Sequence, residues 1–207
     1  MKKDAPELIM NTQPEVIAPN SNDKYNNYVK NLESGQTDID YQDFRFSFIE
    51  SGQFKIASEK SSEFDRLKKE MYVNMNNKSN YQETINIAKK MLSIDYTGMI
   101  AHKVLRHAYE TVGDAINAQK HKTIQFGLLN SIVRNGDGQT CATAWQVIQV
   151  SEEYFILQML GAKLQEQSVV NSGGLCDKMD VQIDGIQKTY YFEISKVFDG
   201  YGKLGIK

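Results

Sequence analysis

The spacing of apolar residues changes once along the chain, near residue 135, and this change limits the folds that the sequence can adopt. Between residues 61 and 134, apolar side chains recur every three or four positions, as they do along one face of an α-helix. After the turn-forming run at 135–138 they alternate with polar residues, as in a β-strand with one buried face. Helices followed by short strands predict an α+β protein.

The helical stretch contains an internal repeat. The segment Ser79–Ile85 aligns with Gly113–Gln119, which lies 34 residues further along. The offset resembles the period of the tetratricopeptide repeat, about 34 residues folded as two antiparallel helices, and its small residues correspond to Thr84, Ala88 and Ala118. We therefore predict a tetratricopeptide-like antiparallel helical array. A short array cannot bury a repeat core alone, so the sheet that follows is its predicted packing partner.

Composition divides the chain into four parts. All three prolines lie in the first 19 residues, so residues 1–22 are predicted to be an extended or disordered leader. Residues 23–134 form the predicted helical, tetratricopeptide-like part. Residues 135–198 form a small predicted α+β part, and the glycine-rich residues 199–207 are predicted to be a flexible tail.

Four strands and one helix are predicted in the small α+β part. The strand at 144–150 alternates in polarity, and Ser151 follows it as a helix cap ahead of two glutamates. The other strands are separated by turn residues and lie at 163–170, 177–184 and 188–195. Short turns between consecutive strands predict a small antiparallel sheet with one short helix on one face.

The charge balance excludes several classes of partner. The formal net charge is -2, so no overall positive field attracts nucleic acid or an anionic membrane surface. The longest apolar runs are too short to span a bilayer. We therefore predict a soluble protein with no nucleic-acid partner and no transmembrane segment, and the oligomeric state stays open.

The residues themselves leave the compartment open. Met1–Pro6 has a basic start without an apolar run behind it, so it is not a signal peptide as it stands. Either the protein is cytoplasmic, or an export signal has been removed. Cys141 and Cys176 leave the same alternatives, a disulfide in an oxidising compartment or two small buried side chains in a reducing one.

Several runs of residues resemble a known bacterial family. In order, these runs lie at 40–45 (DYQDFR), 136–148, 152–154 (EEY), 167–168, 176–181 and 191–195 (YFEIS). Together they make the chain similar to the bacterial domain of unknown function family 4919 over most of its length. Members of that family pair tetratricopeptide-like helices with this carboxy-terminal region and often carry export signals. The resemblance therefore favours an exported protein, periplasmic or secreted, whose signal has been removed, but it implies no activity, substrate or cofactor.

Four residues are candidates for a binding site, namely Asp137, Glu153, Tyr154 and Asp177. The three carboxylates lie where predicted elements begin or end, so two of them could converge at one edge of the sheet. Convergent carboxylates can act as acid and base or bind a hard cation. Each also has a structural explanation, because Asp137 suits a turn, Glu153 suits a helix start and Asp177 can cap a loop.

No catalytic residue, metal or cofactor is assigned from the sequence. Neither a phosphate-binding loop nor a nucleophile motif accompanies the carboxylates. None of the pairs formed by His102, His107 and His121 has the i, i+4 spacing that favours shared metal binding on a helix. We predict ordinary surface or interface histidines.

The sequence favours a non-catalytic protein- or peptide-binding or scaffold module over an enzyme. Such a module would hold its partner in a groove of the helical array or along the edge of the sheet. The alternative is a small ligand- or cation-binding domain, or a hydrolase-like enzyme, with a carboxylate site on the sheet part. We expect a specific function of the protein to lie at the join between the helices and the sheet.

Overall fold

The computed structural model describes residues 23–76 and 80–205 of the chain. The leader predicted at 1–22 therefore lies outside the described residues. Within them the chain forms nine α-helices and a four-stranded sheet, which confirms the α+β class. The helices are α1 (Lys24–Glu33), α2 (Tyr41–Glu50), α3 (Gly52–Glu59), α4 (Ser61–Asn76), α5 (Tyr81–Ile94), α6 (Met99–Val112), α7 (Ala115–Val133), α8 (Val150–Met159) and α9 (Ser195–Lys203). The strands are β1 (Trp145–Gln146), β2 (Lys163–Asn171), β3 (Leu175–Ile183) and β4 (Ile186–Glu193).

Aspartates cap three of the helices. Asp23 Oδ1 accepts a hydrogen bond of 2.8 Å from the backbone N–H of Asn26 in α1, and Asp40 and Asp114 accept equivalent bonds in α2 and α7. A side-chain oxygen at this position satisfies a backbone donor that has no partner inside the helix. Gly113, with φ of 82°, ends α6 immediately before the Asp114 cap.

The helical stretch predicted between residues 61 and 134 forms helices α4 to α7, and each packs against the next. The small residues of the repeat pattern lie in the interior, where Thr84 and Ala88 are fully buried and Ala118 nearly so. Helix α2 packs against α7, so the two short amino-terminal helices join the same array.

The sequence does not predict α3 or α9. A flexible tail was expected at 199–207, but α9 continues to Lys203. A Cβ added at Gly200 would lie 2.9 Å from Phe54 Cζ in α3. Lys203 Nζ also lies 2.6 Å from Glu50 Oε1 at the end of α2. Glycine in this segment therefore allows close packing of α9 on α3, where the composition suggests only flexibility.

The sheet has the strand order β1-β4-β3-β2. The β2–β3 and β3–β4 pairs are antiparallel, whereas β1 runs parallel to β4 with Trp145 opposite Phe192. The predicted antiparallel sheet is therefore corrected to a mixed sheet. Because α8 separates β1 from β2 in sequence, no tight turn makes those two strands antiparallel neighbours.

The strand predicted at 144–150 is shorter than expected, since only Trp145–Gln146 pair as β1. The backbone N–H of Ile148 donates to Glu152 Oε2 at 2.8 Å. A side chain from the first turn of α8 thus takes a donor that a longer strand would offer to its neighbour, and the chain turns into the helix.

Asp184 and Gly185 form the turn between β3 and β4. Both residues have positive φ, 49° and 83°, and Ile183 pairs with Ile186 across the turn. A two-residue turn with both residues in the left-handed region matches the twist of the two strands.

One continuous apolar core extends through both parts of the chain. On the inner face of the sheet, Met179, Val181 and Phe192 are fully buried. Cys141 and Cys176 form a disulfide, with 5.9 Å between their Cα atoms. The disulfide attaches the loop before β1 to β3.

Candidate functional site

Helix α8 is anchored to α2 by an ion pair. Arg45 Nε lies 2.7 Å from Glu152 Oε1, and Arg45 Nη2 lies 2.6 Å from Glu152 Oε2. The two side chains are 1% and 4% exposed. Two parallel charge-assisted hydrogen bonds fix the orientation of the carboxylate as well as its distance. The pair therefore sets the position of α8 relative to the helical array.

The remaining polar atoms of this ion pair are bonded as well. Arg45 Nη2 donates to the backbone oxygen of Gln146 at 3.0 Å, and Nη1 donates to Ser131 Oγ at 3.4 Å. Glu152 Oε2 accepts the N–H of Ile148. A buried ion pair offsets its desolvation only when its other donors and acceptors are satisfied. Elements α2, α7, β1 and α8 thus meet at one buried polar centre.

The next residue, Glu153, meets Asp177 of β3. Glu153 is fully buried and Asp177 is 5% exposed. Among the described residues, neither carboxyl oxygen of Glu153 has a hydrogen-bond partner, and the same holds for Asp177 Oδ1. Burial, followed by the negative charges of Asp177 and then Glu152, raises the pKa of Glu153 to about 8. We call Glu153 and Asp177 the carboxyl pair.

A chain of hydrogen bonds links the carboxyl pair to the surface. Gln167 Nε2 of β2 donates to Asp177 Oδ2 at 2.6 Å, and the Tyr154 hydroxyl donates to Gln167 Oε1 at 2.8 Å. Tyr154 is 46% exposed. The structure thus brings together three of the four candidate binding residues, Glu153, Tyr154 and Asp177.

The fourth candidate, Asp137, is exposed and makes its bonds in the loop before β1. Its Oδ1 accepts hydrogen bonds from Thr143 Oγ1 at 2.6 Å and from the N–H of Gln139 at 3.0 Å. These bonds lower the pKa of Asp137, that from Thr143 most strongly. The carboxylate therefore closes a turn, and no hydrogen bond within the described ranges joins it to the carboxyl pair.

A cleft of about 730 Å³ opens where the helical array meets α8 and α9. Its volume lies within the range of about 300–1,000 Å³ that is typical of ligand sites. Helices α3, α4, α6, α8 and α9 all contribute residues to its lining. Aromatic and aliphatic side chains from both parts form much of the wall, among them Phe64, Tyr72, Met99, Phe155, Val197 and Tyr201.

The buried polar groups of the cleft wall bond to one another. Asp95 Oδ1 accepts from the N–H of Thr97 at 2.8 Å and from its hydroxyl at 2.6 Å, and Asp95 Oδ2 accepts from Gln149 Nε2 at 3.0 Å. The pKa of Asp95 is raised, because burial is the largest effect on it and outweighs the opposite effect of these hydrogen bonds. Glu152, on the same wall, is held by Arg45. Both buried carboxyls of the cleft are therefore engaged in structural bonds.

His102 and His121 form a buried pair between α6 and α7, so the interface alternative holds for both. Their Nδ1 atoms are 2.9 Å apart, and His102 Nε2 lies 2.9 Å from the backbone oxygen of Tyr96. Because a carbonyl only accepts, His102 carries its proton on Nε2, and His121 donates from Nδ1 to the bare Nδ1 of His102. Burial is the main cause that lowers the pKa of His102 to about 4 and that of His121 to about 2. The pair joins the helices as two neutral rings.

Sequence reasoning misses the two residues that position α8, Arg45 and Glu152. Both lie in runs that carry the family resemblance, at 40–45 and 152–154. The position of Arg45 among the apolar residues of α2 could have indicated a buried ion pair, because a buried arginine requires an acidic partner. The identity of that partner depends on the tertiary fold, since adjacent glutamates in α8 look equivalent in the sequence.

The described part of the chain lacks both a metal-binding cluster and a membrane-spanning helix. It contains no group of three or more His, Cys, Asp or Glu side chains that could hold a metal ion. In the same ranges, no helix combines the length and the apolar character needed to cross a membrane.

Comparison with known proteins identifies a family. No curated protein and no solved structure matches the chain. The model of the family described as Domain of unknown function (DUF4919) matches residues 12–203, which confirms the resemblance carried by the sequence runs. Because this match covers most of the chain, the protein belongs to the DUF4919 family.

Proposed function

We propose that this protein is a non-catalytic protein-binding module that holds an apolar segment of a partner polypeptide in the cleft. The observation that carries the proposal is the cleft itself, about 730 Å³ in volume, with walls formed by the helical array together with α8 and α9. Phe64, Tyr72 and Phe155 offer a large apolar contact area.

The construction of the wall supports binding over chemistry. The ion pair of Arg45 with Glu152 and the bonds of Asp95 to Thr97 and Gln149 fix side chains that a reaction would need to keep available. A wall fixed before binding loses little conformational freedom when the partner docks. A preformed apolar cleft therefore favours recognition of a peptide segment.

The helical array supports the same proposal. We interpret α4 to α7 as a tetratricopeptide-like array on the basis of the 34-residue repeat in the sequence. Arrays of this kind present extended surfaces that bind peptides. Tyr72 of α4 and Met99 and Ile100 of α6 bring part of the array into the cleft wall.

The edge of the sheet is the weaker docking site of the two that the sequence suggests. Strand β2 lies at the edge and, among the described residues, pairs only with β3. The register shifts between Leu164 and Glu166, which marks a bulge in this strand. Bulges and charged residues such as Lys163 and Glu166 on an edge strand oppose pairing with another chain. We therefore propose the cleft as the partner's binding site.

A matched pair of serine variants tests the proposal. Ser61 lines the cleft and Ser62 does not, and both are exposed in the first turn of α4. Peptides selected on the wild-type protein from a random displayed library are labelled, and their affinities are measured by fluorescence anisotropy. Ser61→Trp should weaken binding roughly tenfold or more, which is about 1.4 kcal/mol, whereas Ser62→Trp should leave it unchanged. Equal affinities for both variants would exclude the cleft as the binding site.

The alternative is a ligand site or a reaction at the carboxyl pair. The raised pKa of Glu153 favours it, because a carboxyl that titrates near neutrality suits a general acid or base. The complete burial of Glu153 speaks against it, since a substrate must reach within hydrogen-bond distance of a catalytic carboxyl. We therefore rank this alternative second.

We further propose that the protein works in an oxidising compartment outside the cytoplasm. The disulfide between Cys141 and Cys176 supports this location, because such bonds persist mainly in secreted and periplasmic proteins. Alkylation of free thiols in protein taken from its native cells tests the proposal. Both cysteines should resist alkylation until a reductant is added, and ready alkylation without reductant would overturn it.

A further inference from the structure

The carboxyl pair lacks the hydrogen bonds that two buried ionised groups require. Three of its four oxygens, both of Glu153 and Oδ1 of Asp177, have no partner within the described residues. The fourth, Asp177 Oδ2, accepts from Gln167. An ionised carboxylate only accepts hydrogen bonds, so two of them facing each other cannot satisfy one another. Leaving both charged in a buried place is strongly unfavourable.

No ion pair among the described residues offsets this charge. Arg45, which reaches the same helix, is bonded to Glu152 through two nitrogens. In the ranges that the structure describes, no lysine, arginine or histidine forms an ion pair with Glu153 or Asp177. The groups facing Glu153 are therefore Asp177 from β3 and Glu152 from its own helix, and Gln167 of β2 adds an uncharged amide.

We propose that the carboxyl pair is a proton-binding site, in which Glu153 holds one proton at neutral pH and donates it to Asp177 Oδ1, so that a shared proton holds α8 against the sheet. The hydrogen bond gives partners to two of the three unpartnered oxygens. It also reduces the charge of the pair from -2 to about -1, which two adjacent buried carboxyls favour.

A proton fits this place better than a metal ion. A calcium ion takes about six to eight oxygen ligands and a magnesium ion needs nearly octahedral coordination. The pair supplies three unpartnered oxygens, and the described residues contain no cluster of three acidic, histidine or cysteine side chains. A proton requires only the donor and acceptor that are already in place.

The direction of the pH dependence follows from burial. The pKa of Glu153 is raised from 4.5 to about 8, first by burial and next by the charge of Asp177. Between these values the folded protein holds a proton that the unfolded chain has released. The stabilisation is complete below pH 4.5 and is lost as the pH rises through about 8. Above that pH the two carboxylates repel each other across the contact between α8 and β3.

Infrared spectroscopy and unfolding curves of Glu153→Gln test the inference. The amide of this variant can still donate to Asp177 but cannot titrate. The wild-type spectrum minus that of Glu153→Gln should contain a protonated carboxyl band at pH 7 that disappears near pH 8. Between pH 4.5 and about 8, the unfolding equilibrium constant of the wild type, relative to that of the variant, should rise about tenfold for each pH unit. Glu166→Gln, which alters an exposed glutamate of β2, should behave as the wild type.

Two outcomes would overturn the inference. One is the absence of the carboxyl band at pH 7 together with parallel unfolding curves for the wild type and Glu153→Gln. The other is stabilisation of the wild type, but not of the variant, by calcium or magnesium, which would assign the site to a cation. Asp177→Asn provides a second variant, in which the titration of the band should move to lower pH because the neighbouring charge is gone.

Discussion

Arg45 of α2 and Glu152 of α8 lie 107 positions apart in the sequence and form a buried ion pair through two hydrogen bonds. Glu152 also lines the cleft. One interaction therefore fixes both the position of α8 and part of the wall to which we assign partner binding. Removing one member leaves the charge of the other buried and unpaired, which costs more than the pair itself contributes.

Replacing Arg45 by methionine should lower the free energy of unfolding by about 3–5 kcal/mol, because Glu152 becomes a buried, unpaired charge. Adding Glu152→Gln to this variant should recover part of the loss, since no charge then remains. Denaturant unfolding followed by the fluorescence of Trp145, the one tryptophan of the chain, measures both. As a control, Arg66→Met breaks an exposed ion pair of 2.9 Å with Glu70 and should cost at most about 1 kcal/mol. Similar costs for the two arginine variants would refute the role of Arg45.

Two glycines of α9 should respond to alanine in opposite directions. A Cβ at Gly200 would lie 2.9 Å from Phe54 Cζ and 3.3 Å from Ile49 Cγ2, whereas a Cβ at Gly202 meets nothing within 4 Å. Gly200→Ala should destabilise the protein by about 1–3 kcal/mol through overpacking. Gly202→Ala should stabilise it by about 0.5–1 kcal/mol through helix propensity. Thermal unfolding distinguishes them, and stabilisation by both would show that α9 does not pack on α3 as described.

Reduction of the disulfide should destabilise the protein. The bond closes a loop between Cys141 and Cys176, which are 35 positions apart. Loop-closure entropy predicts a loss of about 4 kcal/mol on reduction. Urea unfolding with and without a phosphine reductant measures the loss. The variant with alanine at both positions should ignore the reductant, and an equal response of the wild type and this variant would contradict the prediction.

The buried histidines should make the protein sensitive to acid. The pKa of His102 is lowered to about 4 and that of His121 to about 2, from 6.5 in the unfolded chain. The folded protein therefore binds fewer protons below pH 6.5, and stability present above that pH is lost as the pH falls. Each buried ring raises the unfolding equilibrium constant about tenfold for each pH unit by which the pH falls. His121→Gln removes one of these rings, so the variant should lose about one such factor of ten per pH unit.

Urea unfolding at a series of pH values between about 4.5 and about 7 provides the measurement. The upper limit lies near the pKa of an unfolded histidine, and the lower limit lies near that of an unfolded glutamate, below which many carboxylates also titrate. His107→Gln is the control, because the side chain of His107 is exposed on the same helix as His102. It should leave the acid sensitivity of the wild type intact. An acid response that is identical in His121→Gln and His107→Gln would show that the buried pair is not its source.

Much of the architecture could be predicted because it depends on local sequence. Helices α4 to α7 carry long apolar periods, and Asp184-Gly185 fits the turn of a hairpin. Helix α3 escapes prediction because Ser51 provides no side-chain cap bond and only Gln53 of the helix is buried. The parallel pairing of β1 with β4 is also hidden, since it joins segments that α8, β2 and β3 separate in the chain.

The candidate site was only partly predictable, because its chemistry depends on orientation. Glu152 and Glu153 are adjacent acids at a helix start, and their sequence context explains both as dipole partners. Neighbouring residues of a helix point about 100° apart, so one reaches Arg45 and the other Asp177. The packing of α8 between α2 and β3 decides which glutamate meets a cation and which meets another carboxyl.

Hydrogen exchange with and without a selected peptide tests directly whether a partner segment binds in the cleft. We predict slower amide exchange on peptide addition at 95–100 and 148–155, which contribute cleft residues from the α5–α6 turn and from α8. Exchange along β2, Lys163–Asn171, should stay unchanged. Protection confined to β2, with the two cleft segments unaffected, would contradict binding in the cleft and place the partner on the edge of the sheet.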